Sequence, residues 1–274
     1  MKTIIAPTDF TASSISAVNY AADLSVALNA KLILLNLVQV PMVAAEIPVA
    51  ETVFEDMVSM AEKDLDNIVL QLTARTKGVI DIEKKILMGT VAAGIKEISD
   101  LYKPFAIVMG IKPGKSIDRI LLGSSTLSSV KHNSYPVLII PENVRFKGIH
   151  KIGLACDLQN VLETVPFHLL NEWMSVFNPA LDIIHINKNE HDFKSPDIGE
   201  SISLQNHLSK FKPSFHFITG TNLSVRLNDY AMQQNLDLLI VFPRKHGFLS
   251  IFDKKHSNEI VVNNKIAVLA MHNY

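Results

Sequence analysis

Residues able to hold an anion gather between Ile107 and Pro141. Gly110 closes the apolar run Ile107-Val108-Met109, and Gly123-Ser124-Ser125-Thr126 follows a stretch carrying Lys112, Gly114, Lys115 and Arg119. A Gly-Ser step opening a helix offers unpaired main-chain amides and the positive end of the helix dipole, both suited to phosphate. Small residues let the backbone approach such a ligand closely. Ordinary Ser/Thr capping is the competing reading of Gly123, Ser124 and Ser125, and their position beside the strand end favours phosphate. For Lys112, Lys115 and Arg119 a solvated surface is the commoner explanation. A second group lies at Thr8-Asp9. The Asp9 carboxylate can accept a hydrogen bond from a ribose hydroxyl or an adenine amine, or it can cap a helix; the two roles can coexist.

These groups need elements that bring them together. Thr3 to Pro7, Lys31 to Val40, Asp81 to Met88, Phe105 to Met109 and Val137 to Ile140 read as short apolar strands. Asp81 to Met88 is the least apolar and is expected at a sheet edge. Helices are predicted between them. Ser13-Ser14 offers an N-cap, with Ile15, Val18, Ala22 and Val26 as the apolar face of the first helix. Val58, Ala61, Leu65, Ile68 and Leu72 mark a long second helix, and Ile95 and Ile98 the inward face of a third. Pro41 to Thr52, apolar with two prolines, either lies over a pocket or packs on a neighbouring domain. Strands alternating with helices imply a mostly parallel open α/β sheet, Rossmann-like, with all strand C-termini on one side. Asp9, the Val38 region and Gly110 then share the edge at which such sheets bind ligands.

Glu142 to His150 reads as a linker, after which the pattern restarts. Ile152 to Ala155, Leu181 to Ile186, Phe215 to Ile218, Leu238 to Phe242 and Ile266 to Met271 repeat the strands of the first half. Gly220-Thr221 repeats Gly89-Thr90 about 131 residues on. The chain is expected to be two tandem five-stranded domains, 1–143 and 148–274, diverged from one unit. The second copy reads as degenerate. Its loop, Phe242 to Lys255, has no Gly-Ser step; Asp253 would repel an anion there, and Phe248 and Phe252 suggest apolar packing. Cys156-Asp157 keeps the acid of the first strand's end, which an N-cap explains equally well.

Composition narrows the classes. Apolar residues make up 48% of the 274 residues and charged ones 19%, enough for a sizeable core. A net charge of −1 argues against a nucleic-acid partner. The single cysteine, Cys156, excludes an intrachain disulfide and suits a reducing compartment. Pro7 and Asp9 interrupt the first apolar run before it reaches signal-peptide length, and no run reaches the ~20 residues that cross a bilayer. The expectation is a cytoplasmic protein with no membrane association. His185 with His191, and His246 with His256, lack metal-ligand spacing, and surface or capping roles are expected for them. No metal site and no catalytic triad can be assembled.

With Pro-Thr-Asp closing the first strand, Val-Met-Gly before the loop, Leu-Leu-Gly-Ser within it and Pro-Val-Leu-Ile-Ile after it, the chain resembles the universal stress protein family, as a tandem member. The family's ATP-binding members carry Gly, two residues, Gly, nine residues, Gly-Ser/Thr. Gly110 and Gly123-Ser124 match the ends of that pattern; Pro113 takes the middle glycine's place, with Gly114 one step late. The resemblance implies adenosine near Thr8 and Asp9 and against the backbone about Leu37, ribose by Gly110, and phosphates on Gly123, Ser124 and Ser125. Gly114 would serve if the loop shifts by one residue. ATP would come with Mg or Mn through its phosphates. It also implies antiparallel pairing of the two fifth strands, Val137 to Ile140 with Ala267 to Met271, as an internal pseudo-dimer, and it is compatible with a further homodimer. Two functions stay open: an ATP-binding regulatory module acting in stress response, and a nucleotide-free interaction or scaffold protein with an unknown protein partner. Slow ATP hydrolysis is a weaker third, because no general base can be named.

Overall fold

The computed structural model describes residues 1–39, 51–116, 119–121, 129, 133–187, 195–220, 223–242 and 265–273. The first half runs β1 (Thr3–Pro7), α1 (Ala12–Leu28), β2 (Lys31–Val38), α2 (Glu51–Thr76), β3 (Ile82–Met88), α3 (Val91–Tyr102), β4 (Ala106–Ser116), β5 (Arg119–Leu121) and β6 (Val137–Pro141). The second runs β7 (Lys151–Ala155), α4 (Val161–Thr164), α5 (Phe167–Phe177), β8 (Ala180–Asn187), α6 (Ser195–Leu208), β9 (Ser214–Thr219), α7 (Leu223–Gln233), β10 (Leu238–Val241) and β11 (Ala267–Ala270).

All main strands join one sheet in the order β3-β2-β1-β4-β6-β11-β10-β7-β8-β9. Pairing is parallel within each half. At the centre β6 and β11 run antiparallel, with Ile139 opposite Val268 and Val137 opposite Ala270. The second half repeats the strand order of the first in mirror sequence, so the expected mostly parallel α/β fold is present twice along one sheet. The segments expected to pair across the halves are those that meet, and each covers the other's edge.

Strands buried on both faces are almost wholly apolar, as β1, β2, β6 and β11 are. One face is covered by α1, α2, α5 and α6, with Leu24, Leu65, Leu72, Trp173 and Leu204 in a core that runs across both halves. The other is covered by α3 and α7, through Ile95, Ile98, Leu227 and Ala231. The edge strand β3 is only half-buried and carries Lys84 and Lys85, which guard its open side.

Several expectations change. Ser13 and Ser14 are not caps: α1 begins at Ala12 with Thr11 as its extended N-cap, and both serines are buried inside the first turn. Val26 is exposed, because the face packed on the sheet is lined by Ala17, Val18, Ala21, Ala22 and Leu24 instead. Thr52 already belongs to α2, whereas 40–50 lie outside the described residues. The segment Glu142 to His150 carries no helix or strand and connects β6 to β7, and it is packed against the first half. Ile149 is buried, Phe146 packs edge-on to Tyr20 at 5.4 Å, and Arg145 Nη1 donates to Ser16 Oγ at 2.8 Å. Finally, the counterpart of α1 is split into α4 and α5 at Val165-Pro166. Pro166 lacks the amide that a continuous helix would need there.

Candidate functional site

The end of β1 forms a tight turn over the start of α1. Thr8 donates its amide to Leu35 O at 2.8 Å, and its own carbonyl accepts from Asn36 Nδ2 at 2.8 Å. The Thr8 hydroxyl accepts the Phe10 amide at 3.1 Å. Asp9 Oδ1 accepts from the Thr11 amide at 3.2 Å and the Thr11 hydroxyl at 2.6 Å. Phe10 sits at φ 62°, a left-handed conformation rare for a bulky side chain. The bonds on either side of Phe10 hold it there. Asp9 therefore braces the turn rather than capping α1, and its side chain is exposed at the C-terminal edge of the sheet.

Gly110 lies against this turn. A Cβ at position 110 would come 2.1 Å from Ser13 O and 2.5 Å from Ser13 C. Only glycine lets β4 pass so close to the first turn of α1. Leu37 lies on β2 opposite Leu87 and is half-buried. Gly94 of α3 packs on it, and a Cβ there would reach Leu37 Cδ1 at 2.1 Å. Thr8 and Asp9 thus follow the end of β1, Leu37 lies near the end of β2, and Gly110 lies within β4 at the level where its neighbour β1 ends; the three strands are adjacent in the sheet.

The stretch after Gly110 differs from its expected form. It is not a loop: β4 continues through Pro113 and Gly114 to Ser116 and pairs antiparallel with β5. Lys112 pairs with Leu121 and Ser116 with Arg119, and the register is irregular between them. Pro113 falls in that irregular part. A proline is tolerated in a strand at such a break or at an edge. Gly123, Ser124 and Ser125 lie outside the described residues, as do His191, His246, His256, Phe248, Phe252 and Asp253.

The second half repeats the turn residue for residue. Cys156 donates its amide to Ile184 O at 3.0 Å, and the Leu158 amide meets Cys156 Sγ at 3.5 Å. Asp157 Oδ1 accepts the Gln159 amide at 3.3 Å, Leu158 has φ 51°, and His185 Nδ1 lies 2.9 Å from Cys156 O in the place of Asn36. Burial separates the two copies: Asp9 is exposed, whereas Asp157 is 3% exposed. Two expectations are corrected here. Asp157 is a buried turn residue and not an N-cap, since the next helix starts at Val161 behind Asn160. His185 is buried and bonded to the turn rather than on the surface.

A separate polar cluster pins α7 at the opposite, N-terminal edge of the second half. Buried Asp182 accepts from the Tyr230 hydroxyl at 2.8 Å and pairs with Lys151 Nζ at 2.9 Å. Burial, and then the Asp182 bond, push the Tyr230 hydroxyl above its ordinary range. Among the described residues no group of His, Cys, Asp and Glu could hold a metal ion. Also among them, no helix is long and apolar enough to cross a membrane.

Sequence reasoning missed Asn36 and the hairpin. A lone asparagine in the apolar run Lys31 to Val38 was the available signal for the first, because a buried amide needs a partner.

The family model of the universal stress protein family matches residues 1–141. No curated protein matches the chain. Among solved structures, the chain is similar to a universal stress protein from Archaeoglobus fulgidus DSM 4304. The TM-score is 0.76 at 15% identity, covering 99% of this chain and 98% of that one. It is also similar to a functionally unknown protein from Pseudomonas aeruginosa PAO1. There the TM-score is 0.61 at 14% identity, covering 99% of this chain and 92% of that one. At these identities the likeness is one of fold, and it spans both halves.

Proposed function

The chain belongs to the universal stress protein family, and on that premise we propose that its first half, residues 1–143, is an ATP-binding regulatory domain acting in stress response. The second domain, 148–274, carries no working site. Thr8, Asp9, Leu37 and Gly110 hold the adenosine side; Gly114, Gly123, Ser124 and Ser125 hold the phosphates, with Mg or Mn bound through them. The protein works in the cytoplasm.

One observation carries this reading: the braced Asp9 turn presents an exposed carboxylate beside the β4 and α1 contact at Gly110, whereas its copy at Asp157 is buried. An exposed acceptor held by a strained, fully bonded turn is preorganised for a hydroxyl or amine donor. The alternative is a nucleotide-free interaction protein. It is favoured by Pro113, which removes an amide where phosphate would need one.

Calorimetric titration with Mg·ATP, comparing wild type with Gly123→Asp, separates the two. Binding that the substitution abolishes supports the site; no heat at millimolar ATP for wild type removes the nucleotide reading.

A further inference from the structure

We infer that β9 is a docking edge for a second copy of this chain, the two β9 strands pairing antiparallel about a twofold axis so that two sheets join into one.

The two ends of the sheet come from the same place in the repeat and are finished differently. β3 closes one end and β9 the other. Their registers correspond. Thr3 and Lys151, the first residues of β1 and β7, lie opposite Lys31 and Ala180. Two residues on from these, Ile33 lies opposite Glu83 and Asp182 opposite Ser214. Glu83-Lys84-Lys85 of β3 is therefore matched by Ser214-Phe215-His216 of β9. Glu83 and Lys85 pair at 2.6 Å, and Lys84 pairs with Asp66. Laying another strand on β3 would strip water from those charges at a cost. β9, Ser214–Thr219, carries no Lys, Arg, Asp or Glu. A strand at the end of a sheet offers outward N–H and C=O groups, and charge is a usual means of keeping other chains off them.

The flank of β9 is apolar as well. Phe217 is 49% exposed, and its ring lies 6.5 Å from that of Phe215 on the same face. α6 covers that face, since its Leu204 and Leu208 share a core with Phe215. On α6, Ile198 and Ile202 stand one turn apart and are both half-exposed.

A second copy is the occupant these features fit. An uncharged edge strand pairs best with one equally free of charge, and the molecule already contains such a pair. β6 and β11 are uncharged edges of the two halves, and they meet antiparallel with every residue buried. A twofold axis lets β9 supply both strands and closes the assembly at two copies. Pairing of β9 with β3 of another copy would instead meet the charged edge and propagate head to tail. A net charge of −1 leaves little repulsion between copies.

The test uses the full chain as wild type, Phe217→Lys, Phe217→Glu and an equimolar mixture of the two variants. Phe217 lies next to the midpoint of β9, so its copies face each other near the axis. Sedimentation equilibrium reads the mass, and urea denaturation checks that each variant is folded. Wild type is expected at twice the mass of one chain. Each variant alone should fall to single mass, because like charges are then opposed, and the mixture should return to double mass. Hydrogen exchange of wild type, dilute and concentrated, needs no variant and decides alone if a variant unfolds. Ser214–Thr219 should exchange more slowly when concentrated, and Ile82–Met88 should not change. Wild type at single mass throughout would overturn the β9 dimer. So would a dimer whose mass neither variant changes, a mixture of folded variants that stays at single mass, or exchange at Ser214–Thr219 that ignores concentration.

Discussion

At the residue scale, Asp9 and Gly110 do different work at one place. Asp9 uses Oδ1 for Thr11 and lies exposed at the sheet edge. Asp9→Asn keeps an oxygen for Thr11 and removes the charge. It should change unfolding free energy by less than about 0.5 kcal/mol and weaken Mg·ATP binding about tenfold. Urea denaturation and calorimetry read the two effects separately; a large stability loss with unchanged binding would assign Asp9 to the turn alone. Gly110 is steric. Gly110→Ala puts a methyl 2.1 Å from Ser13 O, so β4 or α1 must shift. The expected cost is about 2 kcal/mol in urea denaturation, and a neutral variant would mean that the contact relaxes freely. Gly110 was legible in the sequence as a motif glycine. Its clash partner was not, because Ser13 lies in a helix far away in sequence.

At the scale of elements, the strands were legible because buried parallel strands are short and uniformly apolar. The ends of elements were less so. Ser13-Ser14 looks like a cap by residue type, but Thr11 takes that place because the Asp9 turn sets where the helix begins. The β4 extension was hidden because Pro113 and Gly114 read as loop residues, although a proline at a break in register belongs equally to a strand. The edge strand β3 carries its own test. Glu83 accepts from Tyr102 and pairs with Lys31 at 2.7 Å and Lys85 at 2.6 Å. Its bonds to Lys31, then Lys85 and Tyr102, hold its pKa from the usual 4.5 down to about 2. A depressed carboxylate contributes stability above its unfolded pKa and loses it as pH falls through the folded one. Glu83→Gln should therefore be less stable than wild type near neutral pH, by about 1 kcal/mol for so accessible a network. The gap should close as the pH is lowered from 4.5 to about 2. A gap that persists unchanged at the acid end would show that the charge is not its source.

At the scale of the molecule, duplication was visible as a restart of the pattern after the Glu142 to His150 linker. The repeated turn at Cys156-Asp157-Leu158 was not, since only Asp is shared with Thr8-Asp9-Phe10. The two halves are joined by more than the β6–β11 seam. Trp173 of α5, the only tryptophan, is fully buried and stacks on Phe105 of the first half at 4.5 Å. Lys2 pairs with Glu172 beside it, and one core runs across both halves. Unfolding should therefore be a single event, with tryptophan fluorescence and far-UV circular dichroism giving coincident denaturant transitions. Two separated transitions would show halves that fold independently. Trp173→Ala should cost about 3–5 kcal/mol and leave any surviving transition lower in denaturant.

The central claim is a single nucleotide site, in the first half, at the braced turn that the second half has buried. Hydrogen exchange of the full chain with and without saturating Mg·ATP compares the two turns within one molecule. The account predicts slower exchange across Thr8 to Ser14 and no change across Cys156 to Val161. Equal protection of both turns, or no change at Thr8 to Ser14 while ATP is bound, would contradict it.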